Sequence, residues 1–155
     1  MAEILLIDGA YGTELLDRIP PDRPCSALNL TRPERVVELH RAYLAAGARA
    51  LRTNTFSATT RQEVQAGVRL AREAAGREAL VFGSLGPAAA PEACQWLAEA
   101  RINVVVLETF LDPAELRRAV DRARDAGIVG VIASMAADVL PLLADVEIPA
   151  VNCID

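Results

Sequence analysis

The stretch Val104-Val105-Val106-Leu107-Glu108-Thr109, followed a few residues later by Asp112-Pro113-Ala114-Glu115, holds the fold in miniature. A short β-branched apolar run reads as a strand buried on both faces. A carboxylate and a threonine end it. An aspartate with proline at the first turn then opens a helix that runs to Gly127. Strand, polar end, capped helix and glycine stop make one β–α unit, and the same order recurs in both directions along the chain.

Working outward, the predicted strands are Glu3–Ile7, Ala50–Thr55, Ala79–Gly83, Val104–Leu107, Val129–Ala133 and Ala150–Cys153. Thr31-Arg32-Pro33-Glu34 reads as a capping box for a helix over Pro33–Ala46, closed by Gly47, and Thr60-Arg61-Gln62-Glu63 opens another that ends at Gly76. Shorter helices are predicted over Pro91–Ala100 and Ala136–Leu143, the second weakened by Pro141. No linker, low-complexity tract or charge block divides residues 1–155, which read as a single domain.

Composition narrows the function classes. Hydrophobic residues make up 52% of the 155, which excludes intrinsic disorder. Sixteen basic residues stand against 21 acidic ones, for a net charge of −5, and aromatics are only 4%. The chain therefore has neither the basic footprint nor the stacking platform of a nucleic-acid binder. No apolar run approaches the roughly 18 residues of a membrane span, and Met1-Ala2-Glu3 lacks the positive start of a secretory signal. A cytoplasmic protein is expected. Cys25, Cys94 and Cys153 are odd in number and far apart, so they form neither a disulfide framework nor a zinc knuckle. Arginine supplies every basic charge; lysine is absent.

Alternating strands and helices with continuous apolar strands imply a parallel α/β sheet, either doubly wound or a barrel. Strands end in Asp8-Gly9, Thr53-Asn54-Thr55, Gly83-Ser84, Glu108-Thr109, Ser134 and Asn152-Cys153. In a barrel these ends converge on one mouth, where sites sit. Asp8-Gly9-Ala10-Tyr11-Gly12-Thr13 is not G-x-G-x-x-G and lacks the lysine of a P-loop. The reading is a (β/α) barrel of the TIM type, incomplete at about six strand–helix units where a full barrel has eight in about 250 residues.

Several motifs carry a resemblance. Asp8-Gly9-Ala10-Tyr11-Gly12-Thr13-Glu14-Leu15, His40-Arg41-Ala42-Tyr43-Leu44-Ala45-Ala46-Gly47-Ala48, Thr53-Asn54-Thr55-Phe56, Gly83-Ser84-Leu85-Gly86-Pro87, Glu108-Thr109-Phe110 and Val151-Asn152-Cys153 together resemble the homocysteine S-methyltransferase family. That family includes the homocysteine-binding module of cobalamin-dependent methionine synthase and betaine–homocysteine methyltransferase. The resemblance implies a zinc ion on three cysteine thiolates that holds homocysteine sulfur as the nucleophilic thiolate, which then takes a methyl group to give methionine. It implies that Cys153 is a zinc ligand. It also implies a Cys-Cys pair at the last strand, which this chain, ending at Asp155, does not contain. The expectation is a domain truncated before the last two strand–helix units. Two departures stand out: Arg52 where the family usually has Glu, and a short connection between Pro87 and Glu108.

By the same resemblance Asp8 and Glu108 hold the substrate ammonium, Thr53, Asn54 and Thr55 line the mouth, and Ser84 lies near the substrate carboxylate. Plainer readings stand beside these. Asp8 is a good turn former, Thr53–Thr55 can satisfy their own loops, and Gly83–Pro87 can be only a tight turn. His40 reads as a packing or surface residue and Trp96 as core or interface. Cys25 and Cys94 fall at no predicted strand end, so neither is expected to complete a zinc site. The methyl donor stays open between methylfolate through cobalamin, S-methylmethionine and betaine. The alternative function is a non-catalytic partial-barrel remnant that binds a small amino acid or a partner chain. In an incomplete barrel the first and last strands are open edges, which a second copy covers economically, so a homodimer is expected.

Overall fold

Every strand pairs in parallel with the next one along the chain. In the computed structural model, which describes residues 5–15, 23–135 and 149–151, the strands are β1 (Ala50–Arg52), β2 (Leu80–Leu85), β3 (Val104–Phe110), β4 (Gly130–Met135) and β5 (Pro149–Val151). Their spatial order is their sequence order, and Ile7 adds a parallel bridge to Ala50. A doubly wound sheet reverses its strand order at a switch point. This one winds steadily in one direction, as a (β/α) barrel does. It is an incomplete barrel of the TIM type.

Helices α1 (Leu28–Thr31), α2 (Pro33–Ala45), α3 (Arg61–Ala75), α4 (Ala93–Glu99) and α5 (Pro113–Asp125) fill the connections. At α3 both halves of the predicted capping box form between Thr60 and Glu63. At α5 the Asp112 carboxylate accepts from Ala114 N at 2.9 Å. The start of α2 departs from the reading above. Thr31 belongs to α1, its hydroxyl donates to the Ala27 carbonyl one turn back at 3.1 Å, and Arg32 takes the N-cap position without a side-chain cap. An unforeseen 3-10 turn, Cys25–Ala27, leads into α1 and draws Thr31 into helix. Gly47 and Gly127 close their helices with positive φ, as a left-handed C-terminal stop requires.

Strand periodicity sorts the sheet into two faces. Val105 and Leu107 of β3 and Leu85 of β2 point toward α3, α4 and α5, where Leu97, Leu116, Val64 and Val68 complete the larger core cluster. Trp96 packs on its margin. The opposite, inner face carries Ala50, Phe82 and Val106. At Thr109 the β3–β4 register shifts, and its φ of 65° lies in the left-handed region. This bulge lets Phe110 join the helix-side core while Glu108 stays on the inner face with Val106.

Predicted Ala50–Thr55 stops as a strand at Arg52, because Thr55 N turns back to the Thr53 carbonyl. Predicted Ala79–Gly83 and Val104–Leu107 run on to Leu85 and Phe110. Of Glu3–Ile7, residues 5–7 are described and only Ile7 bridges β1. The predicted helix Ala136–Leu143 and the strand end Asn152-Cys153 lie outside the described residues. Thr60→Ala should lower stability by about 1 kcal/mol in urea denaturation, as loss of a helix cap does. Thr31→Ala should cost less than about 0.5 kcal/mol, since its hydroxyl caps no helix.

Candidate functional site

Period-2 alternation delivers Arg52, Ser84 and Glu108 to the inner face at the C-terminal ends of three successive strands. They meet there. Arg52 Nε donates to Asp8 Oδ1 at 2.9 Å and its Nη1 to Glu108 Oε2 at 2.5 Å. Nη2 donates to the carbonyls of Asp8 and Gly9 at 3.1 and 2.7 Å. Ser84 Oγ donates to the other Glu108 oxygen at 2.7 Å. Asp8 is brought in by the first bridge, its own N–H donating to the Ala50 carbonyl. Its Oδ2 accepts from Arg52 N and from the Tyr11 hydroxyl.

Exposure separates the two carboxylates. The Asp8 side chain is 0% exposed and Glu108 16%. Only Glu108 faces the cavity of about 250 Å³ at this mouth, together with Arg52, Thr53, Asn54 and Ser84. Tyr11, Cys25, Phe56 and Thr109, which the sequence reading did not select, line it too. Gly86 is required close by, since a side chain there would overlap the Phe56 ring. Thr55 lies beneath, its hydroxyl bonded to Thr53 and to the Ser84 carbonyl. The Asn54 amide donates to the Cys25 carbonyl and to Asn29 Oδ1, both at 3.0 Å. These strand-end residues therefore stitch loops together as well as bordering the cavity.

Behind Asp8, the Tyr11 hydroxyl also meets His40 Nδ1 at 2.7 Å. His40 is fully buried, and its Nε2 has no hydrogen-bond partner among the described residues. Burial alone pulls its pKa down to about 4, so the ring is neutral at pH 7. Burial raises Asp8 above the usual carboxylate value, and Arg52 and Tyr11 offset this only in part. The Tyr11 phenol is pushed well above its ordinary range by burial and then by the Asp8 charge. Sequence could have pointed to Tyr11 and His40 only by their places in the Asp8 turn and on α2.

Metal ligands were a central expectation. Among the described residues no group of three or more His, Cys, Asp or Glu side chains could hold a metal ion. Cys25, which falls at no strand end, lies on the cavity wall because the turn Cys25–Ala27 is tied to Asn54. Its thiol is pushed up to about 11 by burial. Cys94 is buried on α4 beside a different, smaller cavity. Cys153 lies outside the described residues.

The sequence profile of the family described as Homocysteine S-methyltransferase matches residues 5–143. Methionine synthase of Mycobacterium tuberculosis is 29% identical over 164 residues, and the match covers 79% of this chain. The chain spans only 14% of that curated relative's length. Among solved structures, the metallated form of the homocysteine methyltransferase of Escherichia coli superposes with a TM-score of 0.79 and 24% identity. That match covers 99% of this chain and 75% of that one. The apo form of the same protein gives 0.73 over 99% and 73%. At this identity the likeness is one of fold.

The buried His40 ties stability to pH. The unfolded chain takes up a proton near pH 6.5 while the folded chain resists until about 4, so stability falls as pH drops across that window. Denaturant titrations should show a loss of about 2 kcal/mol from this group between pH 7 and pH 5. His40→Gln should flatten that slope; an equal slope in the variant would exclude His40 as its source.

Proposed function

Because the chain belongs to the homocysteine S-methyltransferase family, as the match over residues 5–143 establishes, we propose that the cavity seats homocysteine, whose sulfur takes a methyl group from a donor to give methionine. The observation that carries this reading is the cavity itself, at the C-terminal ends of the strands, where barrel sites are built. Glu108, the one carboxylate facing the cavity from the described residues, is the acidic group that a substrate ammonium meets, already paired with Arg52 and Ser84. Ser84, Thr53 and Asn54 border the substrate. Asp8 and Thr55 hold that wall from behind, since both are buried and bonded within the protein. Phe56 offers an apolar face to the substrate's methylenes.

Zinc is the group that the family implies, with Cys153 as a ligand. The described residues do not fit it: Cys25 and Cys94 border different cavities, and no third donor joins either. The same observation favours a second reading, a partial barrel that binds a small amino acid without activating its thiol. Exposed Leu5, Leu6 and Ile7, in the segment that bridges the edge of β1 at Ile7, support a homodimer. Among the described residues no helix is long and apolar enough to cross a membrane, and a cytoplasmic setting goes with the proposed activity.

Calorimetry under reducing conditions should detect homocysteine binding to the full chain. Thr13→Trp, at an exposed position on the cavity rim, should weaken it at least tenfold; absence of binding to the unaltered chain would overturn the proposal. The purified chain should hold well under one equivalent of zinc and form little methionine. A full equivalent of zinc, lost in Cys153→Ser, would point instead to a complete metal site. Light scattering should give twice the chain mass at micromolar concentration, and a clean monomer would remove the dimer.

A further inference from the structure

The guanidinium of Arg52 lies between Asp8 and Glu108, in the place a cation bound by both would take. We propose that Arg52 is the specificity-determining residue of this cavity: with it in place, thiols that lack an α-ammonium are accepted as readily as homocysteine. The proposal rests on the thiol-acceptor reading above and names the wider substrate class, mercaptocarboxylates, that the same cavity takes.

Three features carry it. First, Arg52 is anchored on several sides. Its Nε and Nη1 bond the two carboxylates, and its Nη2 bonds the Asp8 and Gly9 carbonyls. Swinging it out to admit a substrate ammonium would strand the Asp8 carboxylate, whose side chain is 0% exposed, without its charge partner. Second, Asp8 is beyond a substrate's reach, while Glu108 already accepts from Arg52 on one oxygen and from Ser84 on the other. Third, Arg52 and Glu108 are the charged side chains lining the cavity from the described residues, and they are paired with each other. An ammonium brought to Glu108 meets the guanidinium at a comparable distance. Repulsion and attraction are then of the same order, and the net gain from the substrate's positive charge is small. The uncharged polar groups and Phe56 are unaffected and act alike on a thiol with or without an amino group.

The test compares homocysteine with 4-mercaptobutanoate, which differs only in lacking the amino group, by calorimetry on the full chain under reducing conditions. The two dissociation constants should lie within threefold of each other. In Arg52→Gln the preference should shift to at least tenfold in favour of homocysteine, because Glu108 is freed for the ammonium. Should that variant unfold, the double variant D8N/R52Q removes the stranded buried charge and should show the same shift. A preference for homocysteine of tenfold or more in the unaltered chain would overturn the proposal. So would a ratio that stays the same in the folded variant. Binding of neither thiol would overturn the acceptor reading itself, and this proposal with it.

Discussion

A guanidinium clasped between two carboxylates holds the mouth of this barrel together. Arg52 comes from β1, Asp8 from the segment bridged to one side of it, and Glu108 from β3, two strands away on the other side. To reach Glu108 the arginine passes across β2. The inner-face residue of β2 at that level is Ser84, small enough to leave room and placed to bond Glu108 itself. Charges buried this deeply persist only when paired and hydrogen-bonded. Three segments far apart in sequence are therefore fixed to one another by electrostatics as well as by the sheet ladder.

A second network, built mostly of amides and backbone carbonyls, supports the first. Asn29 bonds the carbonyls of Asn54 and Glu63, and Asn54 returns a bond to Asn29 and one to the Cys25 carbonyl. The Glu63 carboxylate, beyond closing the cap of α3, accepts from the Thr59 backbone at 2.9 Å and from Ser26 at 3.4 Å. The turn that carries Cys25 is thereby bound to the end of β1 and the start of α3. This is why the cavity has a wall on that side, and why buried polar residues there pack without stranded groups.

Family membership and electrostatics bear on different parts of the function. Membership brings the barrel, the polar strand ends and the expectation of a thiol acceptor. The charge balance of the cavity belongs to this chain. One arginine converts two acidic strand ends into an ion-pair cluster with a single net negative charge, and only Glu108 of the two acids remains at the surface of the cavity. Under the proposed reading, recognition in such a cavity leans on shape and neutral polar contacts more than on a strong ionic anchor.

How much was legible in the sequence follows from which interactions are local. Helix starts at Thr60 and Asp112, stops at Gly47 and Gly127, and the buried run Val104–Leu107 are set within a few residues of chain, so pattern and spacing determine them. The parallel, barrel-type sheet follows because continuous apolar strands between amphipathic helices have few other ways to bury both faces. The polar strand ends marked Asp8, Thr53, Asn54, Thr55, Ser84 and Glu108 for one mouth by the same logic. What each residue does there was decided only in three dimensions. Thr31 ends α1 rather than capping α2 because a turn upstream claims it. Cys25 reaches the mouth because Asn54 holds its carbonyl. Arg52, in sequence no more than a departure from a motif, neutralises partners 44 and 56 positions away. Charge pairing at such separations leaves no trace in local periodicity, because it depends on strand register and on how far a side chain can reach across a neighbouring strand.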